Sequence, residues 1–133
     1  MPLPDKSIDF SISVGVINHV ERPLDALDSL IKVTRGALVM AIWVTQEPKG
    51  FWAVNHSGVS NYFFAGDDLA CLTEKHSKEK FFSAEFTAEH DSSQPSSYVG
   101  LSEERVSRIG SYILVLTGLE DLPAGLSQVD FSR

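Results

Sequence analysis

The chain has 133 residues, 43% of them hydrophobic and 22% charged, with a formal net charge of −7. That length fits one domain with a real core, and the acidic balance argues against a free-standing nucleic-acid binder. One cysteine, Cys71, excludes an internal disulfide and points to a reducing, cytoplasmic setting; no apolar run reaches the ~18 residues of a membrane span, and no charged-then-apolar export signal opens the chain.

Pro2, Pro4 and the turn signal Asp5-Lys6-Ser7 stop any helix from running into the apolar stretch that follows. Ile8 to Val16 mixes β-branched and apolar residues with serine, which predicts a strand buried on both faces. Gly15 closes it, at a point where a backbone can need close approach to something else. Asn18 and His19 come just past the strand's carboxyl end, where open α/β sheets bind ligands.

Glu21 to Val33 predicts a helix. Pro23 sits near its start, and Leu24, Leu27, Leu30 and Ile31 make one apolar face. Asp25 and Asp28 fall on the polar side. Lys32 and Arg35 lie near the negative end of the helix dipole, and Gly36 is a stop signal. Ala37 to Val44 predicts a second buried strand, so the order strand, helix, strand is a βαβ unit with a parallel pair.

Thr45 to Gly66 combines glycine, proline, asparagine and clustered aromatics, and predicts a long irregular loop. Its aromatics either line a site or fill the space beneath the loop. Asp67 to His76 predicts a helix capped by Asp67 or Asp68, with Leu69 and Leu72 facing inward and Cys71 beside them in the core. His76 and His90 read as surface residues. Phe81 to Ala88 predicts a strand, Asp91 to Gly100 a loop, and Ser107 to Thr117 the last strand. Residues 120–133 read as a polar tail of the kind that is often disordered. There is no internal repeat and no metal-ligand cluster.

The opening stretch resembles the fourth strand and following loop of class I S-adenosylmethionine-dependent methyltransferases. Pro2, Pro4, Asp5, Ser7, Asp9, Ser13, Val16, His19 and Val20 carry the likeness, which runs through Val44 and more loosely to Leu119. The resemblance implies an α/β fold: a partial Rossmann-like sheet over residues 1–119, made of strands four to seven, with a parallel pair, antiparallel closing strands and flanking helices. Two features depart from the family. Thr34-Arg35-Gly36-Ala37 is one residue shorter than the usual Leu-Lys-Pro-Gly-Gly turn. The glycine-rich donor loop and the acidic residue after the second strand have no counterpart. The resemblance therefore implies the carboxyl-terminal half of such a domain, truncated ahead of the donor-gripping half.

Methyl transfer is a displacement at a carbon already activated by a sulfonium, so the protein mainly positions and desolvates. By resemblance, Val14, Gly15 and Asn18 meet the donor, S-adenosylmethionine. Asn18 and His19 face the transferred methyl and the acceptor. His19 is the candidate base where the acceptor must lose a proton, since histidine changes charge near neutral pH; otherwise it hydrogen-bonds locally at a helix entry. The segment 45–66 becomes a lid whose Trp52, His56 and Tyr62 touch the acceptor.

Three readings of the chain stand: a truncated methyltransferase, a non-catalytic interaction module, or a half-enzyme completed by a separate amino-terminal half. A small molecule is the expected acceptor. The segment Asn55 to Leu69 with the late Gly110-Ser111-Tyr112 strand also resembles the methyltransferases of tRNA wobble uridine. Finally, the strand 8–14 is central in the family but lacks its first neighbour here. That predicts a homodimer, or pairing with another chain, through its exposed edge.

Overall fold

The computed structural model describes residues 3–86, 98–117 and 127–128, with side chains described for 3–81 and 98–110. Strand β1 (Ile8–Val14) leads through Gly15 into a short 3-10 turn (Ile17–His19) and helix α1 (Pro23–Val33). The chain then turns directly into β2 (Thr34–Thr45), parallel to β1. Pro23 can open α1 because the first helical N–H has no intrahelical partner to lose. The expected βαβ unit is present, and β2 is longer than its apolar run. Its pairing with β1 slips between Ile8 and Phe10. Gly36 sits in that slip, where a side chain would strike the backbone carbonyl of Asp9.

Two strands, β5 (Lys80–Phe86) and β6 (Ile109–Thr117), close the sheet antiparallel, and Ser127–Gln128 adds a short β7. The order is β1-β2-β6-β5-β7, so the last long strand is inserted between β2 and β5. The fold is thus mixed α/β with a small mixed sheet. Helix α2 (Gly66–Lys75) lies near its expected place, and a short α3 (Glu103–Ser107), which the sequence reading missed, precedes β6. Ser102 caps α3 by accepting from the Arg105 N–H. Most of the expected 91–100 loop, the end of the strand expected to Ala88, His90, and most of the tail lie outside the described residues. No helix among the described residues is long and apolar enough to cross a membrane.

The core lies on one face of the sheet. Leu38, Met40, Ile42 and Val44 of β2 meet Leu27 and Ile31 of α1, Leu69 and Leu72 of α2, and Ile17, Phe64 and Phe81. Fully burying each such side chain is worth roughly 1.5–3 kcal/mol.

Five expectations need correction. The first strand is not buried on both faces: Phe10, Ile12 and Val14 are 58%, 66% and 63% exposed. They share the uncovered face with Ala37, Val39 and Ala41 of β2, while Ser11 and Ser13 turn toward the helices. Cys71 is exposed, because two residues from Leu69 a helix has turned to its far side. His76 is half-buried, and its Nε2 sits 2.7 Å from Asp28 Oδ1. Asp28 itself is no solvated residue: Lys32 and Lys75 also reach it, at 3.0 and 3.1 Å, so it joins α1 to α2.

The stretch 45–66 is not irregular either. It holds a hairpin of β3 (Phe51–Val54) and β4 (Ser60–Phe63). Asn55 Oδ1 accepts from the N–H groups of Ser57 and Val59, and Gly58 supplies the positive φ of 82° that closes the turn. Aromatic pairs then zip the strands, Phe51 with Phe63 at 5.2 Å and Trp52 with Tyr62 at 5.3 Å.

Candidate functional site

The site is assembled where β1 and β2 end. Gly15 takes φ 67°, and nothing lies within 4 Å of where its Cβ would be. The backbone there is open on that side, next to the exposed Val14. The 3-10 turn then drives Ile17 and Asn18 inward and leaves His19 outside.

Asn18 is fully buried, and its amide is wholly engaged. Nδ2 donates to the carbonyls of Trp43 and Tyr62, and Oδ1 accepts from the Trp43 N–H at 3.1 Å. Beside it β2 meets the hairpin through Thr45 N–H to Phe64 O at 2.9 Å and Phe64 N–H to Trp43 O at 3.0 Å. Asn18 therefore clamps the loop after β1 to both β2 and β4. Any part it takes toward a donor works by holding that loop, since its own polar atoms are already paired.

His19 Nδ1 lies 2.8 Å from the carbonyl of Ser60. A carbonyl can only accept, so Nδ1 carries the proton. In the neutral ring Nε2 then keeps a lone pair available to an acceptor proton.

Trp52 and Tyr62 wall an open hollow of about 270 Å³ together with Arg22, Pro23, Leu24 and Asp25. The Tyr62 hydroxyl donates to Asp68 Oδ2 at 3.0 Å. Burial, then the Asp68 bond and charge, push the Tyr62 phenol up to about 12, so it stays neutral and acts as a wall. Asp68 also accepts from the Ala65 N–H at 2.9 Å, which ties the start of α2 to the same corner. The structure thus brings Trp52 and Tyr62 together. His19 and His56 are not among the residues lining the hollow, and His56 sits exposed in the hairpin turn. The sequence reading missed Arg22 and Asp25, ion-paired at 2.6 Å on the rim. Their position at the helix entry, just past the ligand-side loop, was the available signal.

S-adenosylmethionine, the group the resemblance implies, fits these residues in part. Gly15, with nothing within 4 Å of where its Cβ would be, leaves open space beside the backbone.

No protein-family model and no curated protein matches the chain. Among solved structures it is similar to a SAM-dependent methyltransferase from Thermotoga maritima, described as a possible histamine N-methyltransferase. Identity is 21% and the TM-score 0.47, over 88% of this chain and 59% of that one. The chain spans less than two thirds of that protein's length.

Proposed function

We propose that the chain is the acceptor-side part of an S-adenosylmethionine-dependent methyltransferase domain that acts on a small molecule. The contacts to the donor's ribose and adenine lie outside it, so by itself the chain holds the donor only weakly. One observation carries this reading. The Asn18 clamp sets an open glycine and an outward histidine at the carboxyl end of a parallel strand pair, the ligand side of an α/β sheet.

The donor, when bound, supplies an activated methyl group. Gly15 and Val14 leave space for it against the backbone. His19, which lies outside the Trp52–Tyr62 hollow, takes a proton at Nε2 from an acceptor that extends past the hollow to it. Trp52 and Tyr62 give flat walls that orient a small acceptor, with Arg22 and Asp25 as a polar rim. The net charge of −7 does not favour the tRNA alternative.

A residue-resolved NMR titration of the chain with S-adenosylmethionine tests this. The expected result is fast-exchange shifts confined to Val14–Val20 and the Trp52 indole, with a dissociation constant on the order of millimolar. Shifts elsewhere, or none, would overturn the donor assignment. Low-micromolar binding by a monomer would overturn the claim that donor contacts lie outside the chain.

A further inference from the structure

Strand β1 turns its chemistry the wrong way round for a solvated edge. Among the described residues it is the terminal strand of its sheet, paired with β2 alone. Serines 11 and 13 face the helices, where Ser11 Oγ pairs with Thr34 Oγ1 at 2.7 Å. The large apolar residues Phe10, Ile12 and Val14 face solvent. Backbone groups follow the same alternation. The Gly15 N–H bonds the Ala41 carbonyl, so the odd-numbered residues of β1 point their N–H and C=O at β2. Those of Phe10, Ile12 and Val14 point outward, unpaired among the described strands.

The usual protections are missing as well. Residues 10–14 hold no lysine, no proline and no charge. The one acid in the strand, Asp9, is neutralised by Arg35 on its own sheet. Two copies can therefore approach here despite the net charge of −7.

We infer that this edge binds a second copy of the chain, β1 against β1, antiparallel about a twofold axis at Ser11. Only that centre overlaps the whole strand. It sets Ile8 opposite the partner's Val14 and Phe10 opposite the partner's Ile12, all residues whose backbone groups point outward. About eight new backbone hydrogen bonds form, and apolar side chains meet across the seam. The strand has seven residues and is about 23 Å long. A seam one strand long stays below the roughly 800 Å² per partner of a standard interface. The dimer is accordingly weak, with a dissociation constant on the order of micromolar. On the methyl-transfer reading the donor half would take this same edge, so the inference concerns the 133-residue chain without that half.

Sedimentation equilibrium over about 1–300 µM, a range spanning a micromolar constant, should show mass rising from the 14.6 kDa of one chain toward twice that value. Ile12→Pro removes an outward N–H and leaves the bonds to β2, so it should keep the circular dichroism spectrum and abolish the rise. A crosslink fixes the register whatever that variant does. In the Cys71→Ser background, Ser11→Cys places two thiols across the axis at a non-hydrogen-bonded pair, with Cα atoms about 4.5 Å apart. It should oxidise to a covalent dimer, while Ser13→Cys, set opposite the partner's Asp9, should not. A monomer throughout the range would overturn the proposal. So would a dimer in which Ser13→Cys crosslinks and Ser11→Cys does not, as in a sandwich of the open faces or another register.

Discussion

Asn18 shows how one side chain can fix a site without entering it. Replacing it by alanine leaves the Trp43 N–H without its acceptor and takes one donor from the carbonyls of Trp43 and Tyr62, of which the Trp43 carbonyl keeps the Phe64 N–H. The expected loss is about 1–3 kcal/mol in a denaturant titration, the cost of leaving a buried N–H unsatisfied. His19 is different: it is exposed and tied to the hairpin by one bond to Ser60. In an assembly that includes the donor half, His19→Ala should lower kcat at least tenfold, within the range of general-base contributions, and leave donor affinity unchanged. An unaltered kcat would make His19 a hairpin anchor. The sequence placed both residues past the strand correctly. It could not tell inward from outward, because a single 3-10 turn decides which of two neighbours is buried.

At the scale of elements, one carboxylate adds a polar link between α1 and α2 beside their shared apolar core. Burial raises Asp28, and the bonds from His76, Lys32 and Lys75 outweigh it, holding its pKa at about 2 against an ordinary 3.8. A depressed carboxylate stabilises the fold above its unfolded pKa, and that stability is lost as pH falls through the folded value. Wild type should therefore lose on the order of 1–2 kcal/mol between about pH 4 and pH 2, after discounting for nearby solvent. Asp28→Asn should start lower and lack that step, as followed by thermal unfolding across the range. The hairpin corner has its own weak point. A Cβ on Gly50 would fall on Tyr62 Oη and Asp68 Oδ2. Gly50→Ala should cost about 1–3 kcal/mol by overpacking and should shift Tyr62 and Trp52 resonances. The hairpin was hidden in the sequence because its strands are four residues long and its turn residues also read as loop. The βαβ unit was legible because its helix and second strand carry long, clean apolar patterns. Asp28 and His76 were misread because an ion-pair cluster between two helices leaves no periodic trace.

At the scale of the whole molecule, the sheet is finished on one side and open on the other. Helices cover the face that carries Leu38, Met40 and Ile42, while the face of Phe10, Ile12 and Val14 and the outer edge of β1 are open among the described residues. The alternation of serine with large apolar residues was visible in the sequence, but its direction depends on which face α1 covers. Amide hydrogen exchange resolved along β1 tests this organisation most directly. Ser13 and Gly15 should be protected at every concentration, since their N–H groups bond β2. Ile12 and Val14 should exchange freely in dilute solution and gain protection as concentration rises. Protection of Ile12 and Val14 that does not change with dilution, or free exchange at Ser13 and Gly15, would contradict the account.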